Sequence, residues 1–212
     1  MSSNETISAI VDAEKEGAKM LFGLAVAISA IPLLLRLPVR PSGIVLDILE
    51  FGFSFLILVS VWLGYWIIMS LLPMEDGTIV ALNVALLFLV SIEPYLFYLN
   101  ITFDLVSHEL LLNTASTLYA LDMTGLMLIL ALFTRQLSKE EKGLVPKAAL
   151  VKFKRVRDTL LVSAALFAIT ILPAFWTNQL FGQPIRFYFW VIPLMLSSIT
   201  PIFERSFQAL VE

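Results

Sequence analysis

The chain has 212 residues, 59% of them hydrophobic and 15% charged, with a net charge of −3 and a mean hydropathy of +0.91. A soluble domain carries about 25% charged residues, so this composition cannot cover a water-facing surface. The absence of Cys excludes disulfides, thiolate metal sites and a Cys nucleophile, and a single His argues against a His-based metal cage within one subunit.

The first 17 residues hold four acids and one Lys. That is the wrong sign for the leading region of a signal peptide, so the first apolar segment is read as a retained span. A helix needs roughly 20 apolar residues to cross a bilayer core. The segments that meet this requirement are about 20–37, 51–72, 78–99, 111–134, 158–176 and 186–203. Pro32 and Pro38 interrupt the first, where Pro32 removes a backbone donor and predicts a kink. Asp47 and Glu50 open the second, so its first turns are expected to stand above the membrane. Met74-Glu75-Asp76-Gly77 is a short turn, which makes spans two and three antiparallel neighbours.

Lys and Arg counts orient the bundle. With the N-terminus inside, the inner segments hold 11 of the 14 basic residues and the outer loops hold Arg36, Arg40 and Arg186. The expectation is an all-α integral membrane protein: one six-span domain over 1–212, with both termini cytoplasmic. The segment 135–157 carries eight basic residues and divides a four-span part from a two-span part. Its end, Lys152, Lys154, Arg155 and Arg157, sets topology and is able to meet anionic lipid head groups. Nothing else in the chain points to nucleic acid.

Groups able to do chemistry are few. There is no Gly-rich phosphate loop, no HExxH and no GxSxG, so an enzyme is not expected and no cofactor or metal is implied. His108, between Ser107 and Glu109, suits a solvated or capping role better than a pH sensor. Asn100-Ile101-Thr102 fits a glycosylation pattern but lies too close to the membrane to serve as one.

Two acids fall within spans, Asp122 near the middle of span four and Glu93 in the outer half of span three before Pro94. A carboxylate at mid-bilayer costs at least ~2.5 kcal/mol, so each must be protonated, paired or facing water. Asp122 is therefore either an ion or proton site or a neutral acid bonded to a neighbouring helix, with Thr124, Ser116 and Asn83 as candidate partners. Glu93 better suits the second role. In span two, Trp62 suits packing, while Tyr65 and Trp66 suit the interfacial belt. Gly23, Ala27, Ser29 and Ala30 give span one a face for close helix contact or a narrow pore, and packing is the commoner use of such residues.

Span two reads SFLILVSVW, with Ser54, Phe55 and Trp62. Span three places Asn83 and Pro94 eleven residues apart, and span four contains Leu118-Tyr119-Ala120. In this order and spacing, over about 20–134, the chain resembles the transmembrane protein 175 family of potassium-permeable channels. The resemblance implies six spans per subunit, a homotetramer in a bilayer, K+ as the permeant ion and no Thr-Val-Gly-Tyr-Gly filter. It also implies a pore lined by the first helix, for which the candidate stripe is Phe22, Val26, Ser29 and Leu33. Ser54, Phe55, Trp62, Asn83, Pro94 and Tyr119 would be motif packing residues. The family's first helix carries Arg, three residues, then Phe-Ser-Asp; the matching stretch here is Ala18-Lys19-Met20-Leu21-Phe22-Gly23-Leu24, in which only Phe22 agrees. The chain thus resembles a divergent member. Alternatives are a proton- or cation-coupled secondary transporter using Asp122 and a non-conducting membrane scaffold. The brevity of the unit suits a prokaryotic plasma membrane.

Overall fold

The described residues, which in this computed structural model are 3–30, 41–72, 76–104, 109–139, 144–180 and 183–197, form helices joined by short turns, with one hairpin of two two-residue strands. Among the described residues seven helices run in chain order: α1 (Ser3–Ser29), α2 (Pro41–Met69), α3 (Gly77–Asp104), α4 (Glu109–Leu137), α5 (Lys147–Ile169), α6 (Ala174–Thr177) and α7 (Ile185–Ser197). Between α6 and α7, β1 (Gln179–Leu180) pairs antiparallel with β2 (Gln183–Pro184), with Gln179 opposite Pro184 and Leu180 opposite Gln183.

The local reasons are readable. Pro41 opens α2, where its missing N–H would have had no helical partner. Pro94 lies inside α3, so the Val90 carbonyl receives no bond from it, yet the helix continues to Asp104. Upstream of the first expected span, residues 3–19 are already helical, because no Pro interrupts them and Gly first occurs at 17.

Three helical stretches are long and apolar enough to cross a membrane, Phe51–Met69, Gly77–Asn100 and Leu110–Leu137, and they make this an integral membrane protein. They match the expected second, third and fourth spans. The expected fifth span does not form one continuous helix. The backbone N–H groups of Thr170, Ile171 and Leu172 each bond three residues back, and Pro173 then interrupts the helix. A residue before proline is pushed out of α geometry, which ends α5 at Ile169 rather than at 176. At its other end α5 starts at Lys147, so the basic cluster Lys152–Arg157 lies on a helix and not in a loop. Pro32, Leu33, His108 and positions 198–203 of the sixth expected span lie outside the described residues.

α4 is the hub. It packs most extensively on α5 and α3 and also touches α2, while α1 lies on α3 and α2, and α7 on α5. The buried core is continuous from Phe22 and Ala25 on α1 to Trp190 on α7. α3 and α4 pack tightly at Gly125, where an added Cβ would stand 2.8 Å from Leu89 Cδ1.

Candidate functional site

Two features of the bundle bear on function: the faces of α1 and a buried polar core between α2, α3 and α4.

On α1, Ala18, Phe22, Ala25 and Ser29 are buried. Their spacing of four, three and four residues defines one helix face. The Phe22 ring packs 5.3 Å from that of Tyr65 on α2, and Ser29 returns its hydroxyl proton to the Val26 carbonyl at 2.7 Å. The opposite face is open and apolar. Met20 and Leu24 are 75% and 56% exposed, Ile28 is exposed, and added Cβ atoms at Gly17 and Gly23 would meet nothing within 4 Å. Phe22 and Ser29 of the expected lining stripe therefore point into their own subunit, and Val26 is half-buried. Near the start of the open face, Lys19 pairs with Glu16 at 2.6 Å in an exposed ion pair.

In the polar core, Ser54 of α2 donates to Glu93 of α3 at 3.2 Å, and both are fully buried. Tyr65 of α2 donates to Asn83 Oδ1 of α3 at 2.8 Å. Sequence reading placed Tyr65 in an interfacial belt, and the structure buries it. Trp66, its neighbour, is exposed. Tyr119 and Asp122 share a face of α4 one turn apart.

Asp122 is 4% exposed, and both its carboxylate oxygens lack a hydrogen-bond partner; the Tyr119 hydroxyl lacks one too. The three partners expected for Asp122 are engaged elsewhere. Thr124 donates to Ala120, Ser116 donates to Leu112, and Asn83 accepts from Tyr65. Small hydroxyls inside a helix find the carbonyl one turn back before they reach a neighbouring chain segment.

The other motif residues divide. Asn83, Pro94 and Tyr119 are buried, Trp62 is half-buried against the core, and Phe55 is 37% exposed on the outer side of α2. Tyr119 sits in a ring chain, 5.8 Å from Phe97 and 4.8 Å from Trp190. The Trp190 indole N–H closes this layer on Thr170 Oγ1 at 3.0 Å.

Sequence reading assigned Arg186 to an outer loop. It is instead in the first turn of α7, has no exposed surface, and donates from Nη2 to Asn113 Oδ1 at 2.8 Å. Trp176 and Phe187 lie against its guanidinium at 5.8 and 5.6 Å. Its Nε and Nη1 have no hydrogen-bond partner. The signal that could have found it is an Arg embedded in an aromatic run, Ile185-Arg186-Phe187-Tyr188-Phe189-Trp190. Among the described residues no group of three or more His, Cys, Asp and Glu could hold a metal ion.

No protein-family model matches the chain, and no curated protein matches it. Its structure is similar to the crystal structure of a lysosomal potassium-selective channel TMEM175 homolog from Chamaesiphon minutus, with a TM-score of 0.58 and 18% sequence identity. The likeness covers 89% of this chain and 98% of that one. The resemblance read from spans two to four is thus borne out in three dimensions, and what is shared is the fold.

Proposed function

We propose that the chain is one subunit of a potassium-permeable cation channel, a homotetramer in which α1 of each subunit lines a central pore. Six spans per subunit, cytoplasmic termini and a prokaryotic plasma membrane belong to the same reading. The observation that carries it is the open apolar face of α1, in a fold shared with a channel homolog. A helix whose one side is packed into its subunit and whose other side is apolar and uncovered is suited to stand around a symmetry axis.

On this reading the lining side chains are Met20, Leu24, Ala27 and Ile28, which share the open face, rather than Phe22, Val26 and Ser29. Gly23 would widen the lumen beside Leu24. An apolar ring conducts when it is wet and closes by losing water, so no carbonyl filter is required. No step of catalysis is assigned.

A second reading has one observation in its favour. Asp122 is a buried carboxylate without a partner, as a proton- or cation-coupled transporter would need. The two are separable because the chain has no native Cys, so single Cys residues can be introduced without background. Potassium efflux from liposomes should be blocked by a small thiol-reactive cation in Met20→Cys, Leu24→Cys and Ala27→Cys, and not in Phe22→Cys or Ser29→Cys. Block confined to the second pair would turn the assignment toward a lining of Phe22, Val26, Ser29 and Leu33, and flux abolished by Asp122→Asn alone would turn it toward the transporter. Absence of any flux would leave a membrane scaffold.

A further inference from the structure

Leu89 of α3 reaches α4 at Gly125, and the Phe97 ring of α3 stands 5.8 Å from that of Tyr119 on α4. These two contacts fix the register of the interface. Glu93 lies four residues from both Leu89 and Phe97, and Asp122 lies three from both Gly125 and Tyr119. Steps of three and four residues keep each acid on the face that makes the contacts. Glu93 and Asp122 are therefore opposite one another, at the same level of the α3–α4 interface. Both are buried, and Ser54 of α2 borders the pair by donating to Glu93 at 3.2 Å.

No side chain of these helices brings positive charge to that level. From Pro41 to Thr134 the sequence holds no Lys or Arg. Arg186 of α7 is bonded to Asn113, nine residues and about 13 Å along α4 from Asp122. Buried charges are paired or coordinate a metal ion, so two facing acids call for a cation from solution. The free oxygens suit one. Both carboxyl oxygens of Asp122 and the Tyr119 hydroxyl, one turn away, are buried without a hydrogen-bond partner. Carboxylate and hydroxyl oxygens are ligands for hard cations, and two acids are too few for a divalent cage. The tight contact at Gly125, one turn beyond Asp122, favours a small ion.

We infer that Glu93, Asp122 and Tyr119 bind one dehydrated monovalent cation of sodium size inside each subunit. The site is separate from any pore along α1. It gives the transporter reading's Asp122 a second carboxylate, yet binding does not require transport. Without the ion the two acids are a cost to the fold; with it they draw α3 and α4 together.

The test follows chemical unfolding of the full chain in detergent, with sodium chloride replacing N-methylglucamine chloride at constant ionic strength. For one ion per subunit, the wild-type unfolding constant should fall about tenfold for each tenfold rise in sodium above its dissociation constant. Potassium should need higher concentrations for the same effect. Asp122→Asn and Glu93→Gln should each abolish the response. Tyr119→Phe, which keeps the ring between Phe97 and Trp190, should weaken it several-fold. Asp158→Asn, which removes an exposed acid on α5, should leave it whole. A wild type indifferent to sodium, a response kept in either carboxamide variant or lost in Asp158→Asn, or potassium acting as strongly as sodium would overturn the inference. Absence of flux in liposomes leaves each of these outcomes readable, so the site and the functional readings can fail separately.

Discussion

The Tyr65 hydroxyl donates to Asn83 Oδ1 across 2.8 Å, joining α2 to α3 in the interior of the bundle. Phe22 of α1 packs on the same tyrosine ring, so three helices meet at one side chain. Interhelical hydrogen bonds in membranes average about 0.6 kcal/mol, less than a dry interior would suggest. Tyr65→Phe should therefore lower stability by about that amount and keep the fold. Tyr65→Ala, which also removes the ring under Phe22, should cost about 3 kcal/mol or more. Thermal unfolding in detergent, followed by circular dichroism, separates the two; equal losses would mean that the hydroxyl is the whole of the contribution.

Asp122 behaves differently because nothing answers it. An unsatisfied buried polar group costs about 1–3 kcal/mol, and replacing it with an apolar group of similar shape removes that cost. Asp122→Leu should stabilise the protein by about 1 kcal/mol, and Asp122→Asn should change stability little. If the leucine variant unfolds at a lower temperature than wild type, the carboxylate has a stabilising partner.

Buried Arg186 and half-buried Asn113 form a pair in which one side is charged and under-satisfied. Removing Asn113 alone leaves the guanidinium without its hydrogen bond, so Asn113→Leu should destabilise by about 3 kcal/mol. Arg186→Met should cost less, because an apolar side chain of similar length fills the space between Trp176 and Phe187. The double variant should be more stable than Asn113→Leu alone. A double-mutant cycle on chemical unfolding measures this, and additive losses would show that the pair is not coupled.

Gly125 of α4 faces Leu89 of α3 with no room for a further carbon. A methyl group there would meet the flexible end of Leu89, which can turn aside. Gly125→Ala should be tolerated with a loss below about 1 kcal/mol, while Gly125→Val should cost about 1–3 kcal/mol by overpacking. Gly125→Ala combined with Leu89→Ala should recover much of any loss. A midpoint for Gly125→Val equal to wild type would mean that the two helices separate freely.

Spans two, three and four were legible because long apolar runs bounded by polar turns have one stable form in lipid. The polar positions inside them were legible for the same reason, since Ser54, Asn83, Glu93 and Asp122 are conspicuous against hydrocarbon. Their pairing was not. Asp122 had three candidate partners by sequence, and each of the three made a different bond once the helices were placed. Where the fifth segment's helix ends was not legible, because hydropathy continues through Thr170–Trp176, whereas the α-helix ends at Ile169, ahead of Pro173.

The chain by itself determined a membrane protein built of helices, where the charge concentrates, and which interior positions are polar. Those follow from the free energy of moving each side chain out of water, a property of the residues taken singly. Tertiary structure alone decided which side of α1 is packed and which is open. In water, a helix's buried face is marked by hydrophobic periodicity; in lipid the bundle interior and the bilayer are equally apolar, and the mark disappears. Phe22 and Met20 look alike in such a sequence. Packing against Tyr65 buries the first and leaves the second on the open face.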